Sequence, residues 1–143
     1  MRYRKGAHTV YNIECHIVFC TKYRYRVLTG KIAERCRDLI REICSSNYVD
    51  IIKGNISPDH IHILISMPPT LSVAKIMQYI KGKSSRKLQD EYSELKKRYW
   101  GQHLWARGYF VATTGQINSE DVQRYIESQE IHHKTGKFKI SEF

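Results

Sequence analysis

No run in this 143-residue chain is long and apolar enough to span a bilayer, and the opening MRYRKGAHTVYNIE carries charge where a secretory leader would carry its apolar core. The four cysteines, Cys15, Cys20, Cys36 and Cys44, match no CxxC zinc or redox spacing. Three of them fall on the apolar phase of their segments, which predicts buried free thiols in a reducing cytoplasm rather than disulfides. A Gly-rich phosphate cradle is missing, as are an HExxH pattern, paired carboxylates and the aromatic RNP motif of RNA-binding sheets. Those gaps disfavour nucleotide-driven chemistry, a His-based metal hydrolase and a non-catalytic single-stranded nucleic-acid-binding module. Internal repeats, low-complexity tracts and dividing linkers are absent too, so residues 1–143 are expected to form a single domain around one core.

Acid is scarce beside base: 14 Asp and Glu face 24 Lys and Arg, for a formal charge of +10. Such an imbalance points to a polyanionic partner, with nucleic acid ahead of an anionic membrane surface. The excess is not evenly spread. Residues 1–26 carry six basic side chains and one acid, residues 75–98 carry eight and three, and these two segments account for all of it. They are interleaved with Tyr3, Tyr11, Tyr23, Tyr25, Tyr79 and Tyr92, a mixture suited to backbone neutralisation plus stacking on unpaired bases. Lys22, Arg24, Lys81, Lys83, Arg86 and Lys87 are the candidate phosphate contacts, whereas Lys96, Lys97 and Arg98 read as solvated. A cytoplasmic, nucleoid-associated protein is the resulting expectation.

Along the chain, YNIECHIVFC alternates with Ile13, Cys15, Ile17 and Phe19 on one face, as a half-buried strand does. KIAERCRDLIREIC spaces Ile32, Cys36, Leu39, Ile40 and Ile43 at three- and four-residue intervals, predicting an amphipathic helix with Thr29 as its cap. YVDIIKGNI and HIHILIS read as two strands joined through the tight turn Ser57, Pro58, Asp59. Ser72 caps a second helix, which Gly82, Ser84 and Ser85 break or bend. LWARGYFVATTG suits a fourth strand, and a last helix begins at Ser119 with acids in its first turn, over about residues 119–131. The order gives an α+β fold: a ferredoxin-like βαββαβ antiparallel sheet with two helices on one face, plus an additional C-terminal helix. The other face of the sheet is expected to lie bare for a site.

In SPDHIHILISMPP, residues two apart share a face, so His60 and His62 point together while Ile61, Ile63 and Ile65 point away. Both imidazoles can reach one ion, yet a pair does not hold a catalytic metal and a third ligand must come from elsewhere. The nitrogen pair alone admits Zn²⁺ as well as harder ions. His8, His16, His103, His132 and His133 have no compelling spacing. In the last helix, Tyr125 and Gln129 stand four apart on one face beside Val122 and Ile126, delivering a nucleophile and an oxygen donor together.

PDHIHILISMPP, YNIECHIVFCTKYRYRVL, YIKGKSSRKL, LWARGYFVATTG and YIESQ, in this order, resemble the single-tyrosine HUH transposases of bacterial insertion sequences over nearly the whole chain. The resemblance implies that His60, His62 and Gln129 hold Mg²⁺ or Mn²⁺ and that Tyr125 is the catalytic nucleophile, forming a 5′-phosphotyrosine. It implies a single-stranded DNA substrate folded into hairpins at the element's ends, with cleavage sites chosen partly by base pairing within the DNA. It also implies a homodimer in which the tyrosine helix of one subunit completes the histidine site of the other, with Gly115 to Ser119 as the hinge. A domesticated relative acting on host repeat hairpins is the alternative.

Overall fold

The computed structural model describes residues 3–113 and 119–129. A short hairpin, β1 (Arg4–Lys5) and β2 (Val10–Tyr11), precedes strand β3 (Glu14–Cys20), helix α1 (Gly30–Ser46), β4 (Asp50–Ser57), β5 (His60–Ser66), α2 (Val73–Glu91), α3 (Ser93–Arg98), β6 (Phe110–Ala112) and α4 (Ser119–Ser128). The main sheet runs β4-β5-β3-β6 with every neighbour antiparallel. This is the ferredoxin-like order that the sequence predicts, with α4 as the added helix.

The core lies between one sheet face and the helices. Cys15, Ile17 and Phe19 of β3 and Ile61, Ile63 and Ile65 of β5 meet Cys36, Leu39, Ile40 and Ile43 of α1 and Ile76, Met77, Ile80 and Leu88 of α2. All four cysteines are buried free thiols. Phe19 is fully enclosed and meets the Trp105 ring edge-on at 4.8 Å between centroids. Phe19→Ala should therefore destabilise the fold by about 3–5 kcal/mol. Urea unfolding would record it as a lower midpoint at an unchanged slope.

Several expectations need correction. Helix α2 runs unbroken through Gly82, and within it the Ser84 hydroxyl donates to the Ile80 carbonyl and accepts from Trp105 Nε1 at 2.8 Å. Those bonds tie the helix to the following loop instead of breaking it. Thr29 occupies the cap position of α1 but makes no capping hydrogen bond, whereas Ser72 does cap α2, accepting from the Lys75 amide at 3.1 Å. The fourth strand is shorter than LWARGYFVATTG suggests, with only Phe110–Ala112 paired to β3 and an isolated bridge between Thr21 and Trp105. The hinge at Gly115, the two histidines His132 and His133, and the end of the predicted last helix lie outside the described residues. The sheet face opposite the core is not bare: Val18 and Cys20 of β3 are covered by Tyr125 and Ile126 of α4, with Phe110 and Val122 at the margin.

Candidate active site

The turn at Pro58 and Asp59 reverses the chain, so β5 opens with His60. Ile61, Ile63 and Ile65 are buried in the core, and His60, His62 and Leu64 face the other way. On the adjacent strand Cys20 lies opposite His60 and Val18 opposite His62. The two histidines therefore share the sheet face that α4 covers.

Each imidazole has a specific neighbour. His60 Nδ1 lies 2.9 Å from Asp59 Oδ1, and Arg24 Nε donates to Asp59 Oδ2 at 3.3 Å. Burial pushes the Asp59 carboxyl up, but its bonds and charge interactions with His60 and Arg24 outweigh that and hold it below the usual carboxylate range. His62 Nε2 lies 3.2 Å from Nδ1 of His16, with the ring centroids 5.4 Å apart. Burial first, then the charges of His16, His60 and Lys53, lower the His62 pKa and favour the neutral ring.

Asp59 and His16 escape a reading by spacing alone. Asp59 reads as a turn residue. His16 belongs to a different strand, and only the antiparallel pairing of β3 with β5 brings it to His62. Its signal was its phase: like Val18 and Cys20, it points away from Cys15, Ile17 and Phe19.

Acids in the first turn, Glu120 and Asp121, favour the start of α4, and its apolar side carries Val122, Tyr125 and Ile126 onto β3 and β6 of the same chain. The Tyr125 ring lies 6.0 Å from that of Phe110, and its hydroxyl is closed off from solvent. Burial, then the Cys20 thiol, push the phenol pKa well above its ordinary value. Cys20 is itself raised to about 12, by burial first and Asp59 second, so it is a neutral packing surface under the tyrosine. Gln129 sits just past the last turn of α4. Its amide nitrogen donates to the Tyr125 carbonyl and to the Ser128 hydroxyl, both at 3.3 Å, and not to either histidine of β5.

The donor chemistry fits a divalent ion in part. Two imidazoles on one face, one oriented by a carboxylate and the other biased toward its neutral form, are suitable nitrogen ligands. Among the described residues no three His, Cys, Asp or Glu side chains gather closely enough to hold an ion unaided. A complete set therefore needs the Gln129 amide oxygen, or oxygens from DNA and water.

The basic segments divide into two groups. Arg24 is turned inward onto Asp59, and Lys81 Nζ donates to the carbonyls of Ala106 and Gly108, where burial lowers its pKa to about 8. Lys22, Lys83, Arg86 and Lys87 remain half-buried or exposed, with Lys22 Nζ 5.4 Å from the Tyr23 ring centre. Arg98, expected to be merely solvated, lies 4.1 Å over the Tyr25 ring, which in turn contacts Tyr99. Tyr25 and Tyr92 pack against the core, whereas Tyr3 and Tyr79 are exposed. No described helix is long and apolar enough to cross a membrane.

A ferredoxin-like sheet that presents an HxH strand under a tyrosine-bearing helix defines a class, and comparison with known proteins agrees. The family model for IS200-like transposases matches residues 9–129, and the chain belongs to that family. It is 36% identical over 126 residues to the ISDra2 transposase TnpA of Deinococcus radiodurans, spanning 88% of this chain and 90% of that one. It is 38% identical over 131 residues to the transposase of insertion sequence IS200 from Salmonella typhimurium, spanning 92% of this chain and 86% of the relative. The crystal structure of a Deinococcus radiodurans protein assigned as a transposase superposes with a TM-score of 0.82 at 31% identity, over 90% of this chain and 98% of that one. A REP-associated tyrosine transposase bound to a REP hairpin shares the fold with a TM-score of 0.53 at 15% identity, over 90% of this chain and 70% of its own.

Proposed function

We propose that this transposase cleaves and rejoins single-stranded DNA at hairpin-marked element ends, with Tyr125 as nucleophile and His60, His62 and Gln129 as ligands of Mg²⁺ or Mn²⁺. The observation that carries this reading is that Tyr125 packs on Val18 and Cys20, the residues directly opposite His62 and His60 in the sheet. The tyrosine and the two imidazoles thus belong to the same face of the sheet.

When bound, the ion would polarise the scissile phosphate and offset charge developing on the leaving 3′ oxygen. The chain's own residues supply the rest. The Tyr125 oxygen attacks phosphorus and gives up its proton to solvent, the P–O3′ bond breaks and the 3′ oxygen takes up a proton to leave as a hydroxyl, and the phosphate stays on the tyrosine as a 5′ ester. Attack by another 3′ hydroxyl reverses the exchange and rejoins strands, so bond energy is conserved without a nucleotide cofactor. In its packed position the phenol is buried and strongly biased toward its protonated form. Because the Tyr125 hydroxyl is closed off from solvent where α4 packs on β3, this reading has α4 move onto the DNA of its own subunit or of a partner before attack. A homodimer with shared sites is part of the reading.

The insertion-sequence relatives, similar over about nine-tenths of the chain, favour an element transposase over a domesticated protein acting on host repeats. The reading is tested by incubating the protein with 3′-labelled single-stranded DNA carrying an element end. Cleavage should require Mg²⁺ or Mn²⁺ and stop with chelator, whereas cleavage undiminished by chelation would contradict it. Gln129→Ala should reduce cleavage less completely than loss of either histidine, about tenfold, since water can replace a neutral amide oxygen. Raising the metal concentration should recover much of that loss, and wild-type activity across the metal titration would make Gln129 a surface residue only.

A further inference from the structure

We propose that Asp59 and Arg24 are positioning residues that determine which ring nitrogen His60 offers to the metal ion, so that Arg24 serves the metal site rather than the DNA backbone. The proposal rests on the metal-binding reading of the histidine pair.

Asp59 is buried, with 6% of its surface exposed, and its carboxylate has two partners. One oxygen lies 2.9 Å from His60 Nδ1 and the other accepts from Arg24 Nε at 3.3 Å. An ionised carboxylate only accepts hydrogen bonds, so the proton of a neutral His60 ring must sit on Nδ1. Nε2 then keeps its lone pair for a ligand. The Arg24 guanidinium holds the other oxygen of the same carboxylate and so fixes the orientation of the acid toward His60.

The backbone is built to hold this arrangement. The Asp59 carbonyl accepts from the Thr21 amide at 3.0 Å and the Thr21 hydroxyl at 3.3 Å, and the Pro58 carbonyl accepts from the Leu28 amide at 2.9 Å. Two successive residues, Tyr23 (φ 60°) and Arg24 (φ 53°), adopt the left-handed conformation that side-chain-bearing residues avoid. That turn folds the segment after β3 back over the Pro58–Asp59 corner and brings the guanidinium to the carboxylate. A surface arginine awaiting phosphate would need neither the strained turn nor a buried acid as its partner.

The test uses the full-length chain and three substitutions. In metal-free wild-type protein, ¹⁵N NMR of the imidazoles should find the His60 proton on Nδ1. In Asp59→Asn, whose amide can donate as well as accept, the ring should populate both tautomers. Binding of Mn²⁺, followed by loss of the free-ion EPR signal, should be weakened about 10- to 100-fold by Asp59→Asn and several-fold by Arg24→Gln. Affinity for a DNA hairpin without metal should be unchanged in both, whereas a phosphate-contacting Arg24 would show the opposite pattern and overturn its assignment. His60→Ala is the control. Mn²⁺ binding that His60→Ala removes and Asp59→Asn leaves at wild-type strength would overturn the positioning role alone, as would a wild-type His60 proton on Nε2. Absence of Mn²⁺ binding by the wild type would overturn the metal reading itself. Should Asp59→Asn fail to fold, Arg24→Gln and the wild-type tautomer decide the matter.

Discussion

Tyr125→Phe should bind the DNA hairpin with wild-type affinity and salt dependence yet form no covalent adduct and release no 3′ hydroxyl end. Phe keeps the ring against Phe110, Val18 and Cys20 and removes only the oxygen that can carry the phosphate ester. Cleavage should fall by at least on the order of 10³-fold, because the covalent role proposed for Tyr125 needs an oxygen that Phe lacks. Stability should change by no more than about 1 kcal/mol, since one hydroxyl is lost from a packed position. Gel-shift and cleavage assays on the same preparation separate the two effects. Cleavage by the Phe variant at a tenth of the wild-type rate or more would remove Tyr125 from the chemistry.

The second large effect is expected at the histidines. His60→Ala or His62→Ala should each reduce cleavage by more than about 10²-fold while leaving hairpin affinity largely intact, because the proposal assigns phosphate attraction to the basic segments and not to the imidazoles. Side-by-side binding and cleavage measurements over a metal titration check this, and undiminished cleavage by both variants would sink the metal assignment. Mixing Tyr125→Phe with His60→Ala protein addresses the sharing of sites. In a heterodimer that exchanges tyrosine helices, one site combines an intact tyrosine with an intact histidine pair, so some cleavage should return. Failure of the mixture, with subunit exchange confirmed, would count against sharing between subunits and leave the nucleophile assignment in place.

Where hydrophobic period is strong, the fold is legible. Cys15, Ile17 and Phe19 announce β3, the three- and four-residue spacing from Ile32 to Ile43 announces α1, and Ile61, Ile63 and Ile65 announce the strand that turns its histidines outward. Long-range contacts carry what was missed. Gly82 and the two serines after it look like a helix break until Trp105, 21 residues beyond Ser84, supplies the partner that ties the helix to its loop. The Arg4–Lys5 and Val10–Tyr11 hairpin is too short for a period to register. The site follows the same rule. Positions separated by simple spacings, His60 with His62 and Tyr125 with Gln129, can be paired from the sequence. His16 required knowledge of which strand lies beside β5, and Arg24 required a backbone turn that no spacing encodes. The reading of the free sheet face failed for a related reason: Val122, Tyr125 and Ile126 form an apolar side of α4 that must be buried somewhere, and the sheet face bearing Val18 and Cys20 receives it.

The proposed chemistry turns on a covalent bond between one residue and one end of the DNA. Its most direct test is to incubate wild-type protein with single-stranded DNA carrying an element end in Mn²⁺, digest the covalent product with protease and nuclease, and locate the nucleotide-bearing peptide by mass spectrometry. The expected product is a single modified peptide, with the 5′ phosphate esterified to the phenolic oxygen of Tyr125. Formation should be lost with chelator and with His60→Ala. A phosphate found on any other residue, or strand cleavage proceeding with no protein-linked intermediate, would contradict it.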